Sequence, residues 1–402
     1  MKTPSKKIAG NSKFGDVVQL ANNLWLIVGD GPKDCPNVVV YQAADRMYVM
    51  DSGAGPVIRA SLIKVIQEAG PLQTFTLLNS HGHADHVGNN DVINMAQAKE
   101  RHHYFSNAGL RLLDPVPYFT DLFLRLSAYY DPLAAYQTDR LKWQFLKLIR
   151  DTVALFAGEK AAITAIWSIY IKNFQPFHPS RKTMEFYESL PRQTITIGGV
   201  QWTGWVLGAN DVWILEERGH TSDEVLFYLP EHKLLFTADL TFPMFPTFPD
   251  TNGKLTREML QRCHDMASAG AVSLLINSHF LSPAVYRGQD EAVQFLGTLL
   301  VEHDRFQIVL GEILAEHDGL TVGEVYSYLC QRRDDPVVRH YRSMEYPDHP
   351  MSLQQIITVN LAQMGYVARG PKRKQSFYRP TTTMYKPPTA HSCQPTIYRR
   401  RL

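Results

Sequence analysis

Short apolar runs alternate with turn residues through the first 80 positions. "DVVQL", "NLWLIVG", "NVVVYQ" and "RMYVMDSG" are rich in Val, Ile and Tyr and are bounded by Asn, Gly, Pro and Asp, which predicts four β-strands. Val57, Leu62, Val65 and Ile66 then recur at helical spacing before Gly70, so "PVIRASLIKVIQEAG" is predicted to be a helix. "FTLLNS" has the length of a buried strand. A strand, a helix and a strand in this order indicate an α/β unit whose strand ends can carry a site.

Residues 100–190 differ from the segments on either side because their apolar positions follow a helical period over long stretches. They are dense in aromatic residues and are predicted to form a helical insertion. Strand patterns resume in "QTITIGGVQWTGWVLG", "VWILEERGH", "VLFYLP" and "KLLFTADL". A helix, "REMLQRCHDMASAG", and the run "VSLLINSH" then repeat the earlier helix-then-strand order. Two related α/β halves interrupted by the insertion are therefore expected within residues 15–304.

The sequence beyond residue 305 contains three amphipathic stretches, "FQIVLGEILAEHDG", "TVGEVYSYLCQRR" and "SLQQIITVNLAQMGYV", followed by the basic "ARGPKRKQSFYRP". This pattern predicts a small, mostly helical domain over residues 305–380, for which a winged helix is one candidate form. Residues 381–402 lack a core-forming pattern and are expected to be a basic, disordered tail.

Composition excludes few classes of protein. The chain has 402 residues, enough for two to three domains, and its 45% hydrophobic and 20% charged content is that of an ordinary globular protein. A net charge of +2 indicates no particular partner. Neither the N-terminal sequence nor "AAITAIWSIYI" has the apolar length of a signal peptide or a membrane span. Because the four cysteines form no CxxC pattern, free thiols and a cytoplasmic location are expected.

The stretch "HGHADH" at residues 81–86 concentrates side chains that bind metals. His81 and His83 are two residues apart, so on an extended segment their side chains point the same way. Asp85 and His86 follow in a turn and can face a second position. Imidazole and carboxylate groups are natural ligands for zinc and similar divalent ions. Since four residues cannot complete two metal sites, further ligands are expected at other strand ends.

Polar residues do follow other apolar runs. His220 lies in "ERGHTSDEV", Asp239 ends "LLFTADL", His279 follows "LLIN", and Asp51 closes "MYVMDSG". Taken singly, a His or Asp after a strand is more often a turn residue or a helix N-cap. Their order together with HxHxDH favours metal ligands.

This order of motifs resembles the metallo-β-lactamase superfamily, in which a strand-ending Asp precedes HxHxDH, His, Asp and His. The resemblance covers residues 15 to about 300, with the helical insertion as an interruption. It implies a four-layered αββα sandwich of the α/β class. It also implies that one metal is held by His81, His83 and His220, that the other is held by Asp85, His86 and His279, that Asp239 bridges them, and that Asp51 orients a ligand histidine.

The chemistry implied by this resemblance is hydrolysis assisted by two divalent ions, with zinc expected. The ions would share a water, lower its pKa, and so supply a bridging hydroxide that attacks an electrophilic centre. Asp85 is the expected catalytic carboxylate, which orients the nucleophile or passes a proton to the leaving group.

Several activities of the superfamily stay open. The position of the insertion and the spacing of the later ligands are similar to those of alkylsulfatases, although that family usually has glutamates where this chain has His220 and Asp239. A nuclease of this fold would carry a large extra domain after the Asp239 position, where this chain has only the short segment before His279. An oxygenase of this fold would use a single iron. The expected substrate is therefore a small molecule with an ester, thioester, lactone or related bond.

The loop "LTFPMFPTFPD" after Asp239 is the best indication of substrate preference. It contains Phe242, Phe245 and Phe248 and has no Lys or Arg, which favours an apolar or aromatic substrate if the loop borders the site. The alternative is a buried loop packed under the insertion. Nucleic acid is not expected as a partner, because no recognition helix rich in Arg or Asn precedes the basic segment. A homodimer formed through the insertion or the C-terminal domain is a further prediction.

Overall fold

The fold is described from a computed structural model. It covers residues 12–30, 35–131, 141–241, 246–279, 285–343 and 352–379. Phe242 and Phe245, as well as the predicted tail over 381–402, lie outside these residues.

Two seven-stranded sheets form the centre of the fold. The first keeps chain order and consists of β1 (Val17–Ala21), β2 (Leu24–Ile27), β3 (Val38–Ala43), β4 (Arg46–Met50), β5 (Leu72–Leu78), β6 (Ala98–Phe105) and β7 (Met184–Phe186). The second is ordered β14-β13-β12-β11-β10-β9-β8, with β8 (Gln193–Ile197), β9 (Val200–Leu207), β10 (Val212–Glu216), β11 (Val225–Leu229), β12 (Leu234–Phe236), β13 (Leu274–Ile276) and β14 (Val285–Arg287). Most neighbouring strands are antiparallel, but β4 through β7 run parallel, as do β12 and β13.

The two sheets face each other across a buried apolar layer, and helices cover their outer faces. Tyr41 and Trp205 belong to the layer between the sheets. Helix α1 (Gly55–Glu68) buries Ile58, Leu62, Val65 and Ile66 against the first sheet, whereas Val57, one of the apolar positions at helical spacing, is exposed. Helices α5 (Gly253–Ser268) and α6 (Gln289–Glu316) cover the second sheet. These layers confirm the predicted αββα sandwich.

The helical insertion is shorter than its predicted limits of 100–190. Strands β6 and β7 belong to the first sheet, and the helices between them are α3 (Pro115–Leu126) and α4 (Leu141–Tyr170). The polar sequence of β6, "AKERHHYF", has a mostly exposed first half. The strand therefore lacks the apolar alternation from which strands are predicted.

The C-terminal segment continues directly from the sandwich. The predicted boundary at 304/305 lies inside the 28-residue helix α6. After it come β15 (Leu320–Thr321), α7 (Val322–Gln331), α8 (Pro336–Ser343), α9 (Leu353–Gln363), β16 (Val367–Arg369) and β17 (Ser376–Tyr378). The three strands form a small sheet in the order β15-β17-β16.

The insertion and the C-terminal segment share one hydrophobic core. Leu122 of α3, Trp167 of α4, Leu310 of α6 and Ile356 of α9 all belong to it. The basic β16–β17 hairpin also binds the insertion, because Arg373 pairs with Glu159 at 2.8 Å and its backbone N–H donates to Ala128. Segments that are distant in sequence therefore fold as one body over the edge of the sandwich.

Candidate metal centre

The seven predicted metal ligands lie together at one edge of the two sheets. The chain leaves β5 into "NSHGH" and then enters the short helix α2 (Ala84–Val87). His220, Asp239 and His279 follow β10, β12 and β13. The nearby ends of these strands bring side chains that are far apart in sequence to one place, where they are buried or nearly so.

Four side chains form a first set of donor atoms. His81 Nε2 lies 3.0 Å from His83 Nδ1, which is 3.3 Å from His220 Nε2. Asp239 Oδ2 lies 3.8 Å from His81 Nε2 and 3.5 Å from His220 Nε2. One ligand atom of each residue therefore points at a common centre.

Asp85, His86 and His279 form a second set beside the first. Asp85 Oδ2 lies 3.3 Å from the Nε2 atoms of both His86 and His279. Asp239 Oδ1 lies 3.2 Å from His86 Nε2 and 3.3 Å from His279 Nε2. Asp239 thus presents one carboxylate oxygen to each set.

These spacings fit divalent metal ions. A tetrahedral zinc ion with bonds of about 2.05 Å to nitrogen separates neighbouring donor atoms by about 3.3 Å. The donor-atom pairs given above lie 3.0–3.8 Å apart, and all donor atoms of a set lie within 4.8 Å of one another. Lone pairs crowded at this distance in a buried site call for a cation between them. The residues present therefore fit the metal ions that the fold implies.

Asp51 positions the ligand histidines from the side that faces away from the donor centre. Its Oδ2 accepts from His86 Nδ1 at 2.8 Å, which leaves His86 Nε2 as the ring nitrogen that faces the centre. Ser80 donates to Asp51 through its N–H at 2.7 Å and its hydroxyl at 2.8 Å, and its Oγ lies 3.0 Å from His81 Nδ1. Ser80 thus connects one carboxylate to both donor sets. Ser80 immediately precedes HxHxDH in the sequence, but its role as a hydrogen-bond partner of Asp51 was not predicted.

The two sets differ in their protonation. Burial lowers the pKa of His83 to about 3 and lowers the pKa values of His81 and His220, so these rings are neutral and can bind a metal. In the second set burial also lowers the pKa of His279, but the nearby Asp239 and Asp85 outweigh it and raise that pKa to about 10. A metal ion that binds there must displace this proton.

Two buried carboxyl groups hold the loops that carry later ligands. Glu217 Oε2 accepts from the backbone N–H of His220 at 3.2 Å, and Glu224 Oε1 accepts from the N–H of Asp239 at 2.8 Å. Burial, with mutual repulsion in the case of Glu224, raises the pKa values of both. Neither was predicted, because acids beside the His220 turn also suit an exposed loop.

Asp223 supports the first histidine turn. Its Oδ2 accepts from the N–H of Gly82 at 2.8 Å, and burial raises its pKa to about 6. Tertiary structure brings it to this turn from 141 residues further along the chain. No local sequence pattern indicates this contact.

Aromatic rings enclose one side of the first set. The ring centroid of His83 lies 5.8 Å from that of Phe119, 5.9 Å from that of Tyr118 and 5.5 Å from that of Phe248. Phe248 is 9% exposed and belongs to the core shared by the insertion and the C-terminal segment. His83 Nε2 is buried without a hydrogen-bond partner among the described residues. The described end of the predicted substrate loop therefore packs both on a site histidine and beneath the insertion.

The αββα layers with this edge site are those of the metallo-β-lactamase fold, and the chain has that fold. It is similar to a metallo-beta-lactamase family protein from Thermus thermophilus (17% identity, TM-score 0.53, 90% of this chain and 100% of the other). It is also similar to a beta-lactamase domain protein from Burkholderia ambifaria (14% identity, TM-score 0.54, 92% of this chain and 96% of the other). A third similar structure is a stereoselective inverting sec-alkylsulfatase from Pseudomonas sp. (14% identity, TM-score 0.50, 87% of this chain and 50% of the other). At these identities the likeness establishes the fold alone. Neither protein-family models nor curated proteins match the sequence.

Proposed function

We propose that the protein is a dinuclear metal-dependent hydrolase that acts on a small apolar or aromatic substrate. The observation that carries this proposal is the position of Asp239, whose two oxygens face the two donor sets separately. A carboxylate in this position can bind two ions at once. When bound, two such ions, with zinc expected, supply an activated water and polarise the bond to be cleaved.

Asp85 and Asp51 have separate roles in the proposed reaction. Asp85 is the proposed catalytic carboxylate, because it is the carboxylate of the second set, with Oδ2 at 3.3 Å from His86 Nε2, whereas the aromatic rings enclose the first set. It orients the attacking water or passes a proton to the leaving group. Asp51 fixes the ring of His86 through Nδ1, so that Nε2 keeps its direction when a ligand binds.

The surroundings of the first set support an apolar substrate. Phe119, Tyr118 and Phe248 present ring surface beside His83. Arg111 is a cation close to this wall, but its guanidinium pairs with Asp250 at 2.8 Å. An anionic substrate group would have to compete with that pair, whereas an ester, thioester or lactone would not.

Metal analysis combined with a substrate panel tests the proposal. Purified protein supplied with zinc should hold two ions per chain, and Asp239→Asn should hold fewer. Asp304→Asn is the matched control, because Asp304 pairs with Arg257 away from the centre. The panel contains ester, thioester, lactone, β-lactam, alkyl sulfate and phosphodiester substrates. One ion per chain would contradict the dinuclear site, a single iron would favour an oxygenase, and turnover of alkyl sulfate alone would favour the sulfatase alternative.

We further propose that the C-terminal segment is a winged-helix-like domain with a packing role. Its order of helix, strand, helices and hairpin supports this form. The basic hairpin, which would face nucleic acid in a DNA-binding protein, instead pairs with the insertion through Lys372, Arg373 and Glu159. Salt-dependent binding of duplex DNA or RNA would contradict this role. A homodimer and a cytoplasmic location remain predictions.

A further inference from the structure

The first half of α4, residues 141–157, carries an exposed apolar stripe that the proposed hydrolase chemistry does not use. Phe145, Leu148, Leu155 and Phe156 are 61%, 62%, 78% and 82% exposed. At 100° per residue these four positions fall within an arc of about 100° on one helix face. Arg150 and Asp151, the charged residues of this half whose side chains the structure describes, fall outside that arc. Single exposed apolar residues are ordinary, but four on one face form a patch that marks an interaction surface.

The helix turns at Gly158, and one face of its second half is buried. Gly158 has φ 84° and ψ 169°, which lies outside the helical region. Beyond it Ile163, Trp167 and Ile171 belong to the core shared with the C-terminal segment. By length and composition alone, Leu148–Phe174 is apolar enough to cross a membrane. Because that stretch contains the turn, and one face of its second half packs in the shared core, it does not form one continuous span.

We propose that this stripe docks the protein on the surface of a lipid bilayer, with the helix lying in the interface. Seventeen residues are fewer than the roughly 20 that a helix needs to cross the hydrocarbon core. An interfacial helix instead combines Phe and Leu on one face with basic residues elsewhere. Arg150 is already paired with Asp131 and Asp151. Lys142 and Lys147 are the other cations in the sequence of this half, which contains no further acidic residue, and two lysines suit anionic headgroups.

The size of the stripe favours a lipid surface over a second copy of the chain. Four side chains of nearly 200 Å² each, exposed to the extent given above, present on the order of 500 Å². A stable protein interface buries about 800 Å² on each partner, most of it in a shaped contact. One narrow helical stripe falls short of that area. A bilayer needs no matching shape and accepts a single helix face.

Vesicle flotation with the full-length, zinc-loaded protein tests the proposal. The probes are phosphatidylcholine vesicles and phosphatidylcholine–phosphatidylglycerol vesicles. The wild type should float with both and partition more strongly onto the anionic ones. Leu155→Glu and Phe156→Glu should each lower the partition coefficient by about tenfold or more, since a charge would enter the apolar layer. Val301→Glu, at a 52% exposed position on α6, is the matched control and should float as the wild type does.

Each contrary outcome overturns the docking proposal. Wild-type protein that stays in the soluble fraction with both vesicles excludes a lipid surface. Flotation of Leu155→Glu and Phe156→Glu at the wild-type level removes the stripe from the interaction. If the wild type sediments as a dimer that these substitutions dissociate, and binds no vesicle, the stripe is an interface between two copies. Zinc content and circular dichroism are measured on the same samples, so a failed metal site is distinguished from failed docking.

Discussion

The substitution Asp51→Asn removes a charge from behind the candidate metal centre while preserving the shape of the side chain. Asp51 has a φ of 60°, a left-handed conformation that asparagine also tolerates. Its carboxylate accepts from the N–H of Ser80, the hydroxyl of Ser80 and Nδ1 of His86. The amide oxygen of asparagine can keep the first of these bonds. Its NH₂ group cannot accept the other two.

The expected loss is one to two orders of magnitude in metal affinity. A carboxylate hydrogen-bonded to a ligand histidine makes the ring a better donor and fixes its direction, and losing such a partner costs about 10–100-fold. That range corresponds to about 1.4–2.7 kcal/mol. It agrees with the roughly 1.5–3 kcal/mol that a hydrogen bond to a charged group contributes. The bond to His86 at 2.8 Å is short enough to contribute fully.

Competition with a chromophoric zinc chelator measures both dissociation constants. Asp304→Asn again serves as the control, since it removes a partly buried aspartate charge from a bidentate pair with Arg257. Asp51→Asn should raise the dissociation constant most for the ion held by His86, and Asp304→Asn should leave both constants unchanged. Zinc affinities of Asp51→Asn within about threefold of the parent would refute the assigned role of Asp51. Equal weakening in both variants would show a general loss of structure instead.

Asp85→Ala and His86→Ala should each reduce kcat by far more than tenfold and leave the circular dichroism spectrum unchanged. Tenfold corresponds to about 1.4 kcal/mol of activation free energy, and activity within that range of the parent contradicts the roles given to these residues. Asp223 has a pKa raised to about 6 by burial, so its ionised form destabilises the fold above that pH by about 3 kcal/mol, a cost that disappears as pH falls towards 3.8. Asp223→Asn should therefore stabilise the metal-free protein in urea at pH 8 but not at pH 4. Phe248→Leu should raise KM for an aromatic ester by about tenfold, and an unchanged KM would make Phe248 core alone.

The fold could be predicted from the sequence because its signals are local. Runs such as Val38–Ala43 are apolar and β-branched, and turn residues border them. The donor residues could be predicted for a related reason. "HGHADH" is contiguous, and His220, Asp239 and His279 each come soon after a strand, so a sandwich with those strands adjacent brings them to one edge.

Other features depend on contacts that no local pattern carries. Asp223 contacts the histidine turn across 141 residues of chain. Strand β6 was not predicted because three of its eight residues are exposed and charged, which breaks the apolar alternation. The boundary at 304/305 was placed where the sequence becomes amphipathic, yet α6 continues through it. Its first half packs on the second sheet and its second half on α7–α9, so one helix serves two cores.

The loop beside the metal centre, residues 247–253, is bonded to side chains of helix α9 in the C-terminal segment. Nε2 of Gln355 donates to the carbonyl of Thr247 at 2.8 Å, and Gln363 accepts from the N–H of Gly253 at 2.7 Å and donates to the carbonyl of Thr251. Backbone groups of a buried loop need such partners, because an unpaired one costs about as much as a lost hydrogen bond. Phe248 lies between these anchors and packs on His83. Side chains of α9, which lies outside the αββα sandwich, therefore fix the part of the wall that Phe248 contributes.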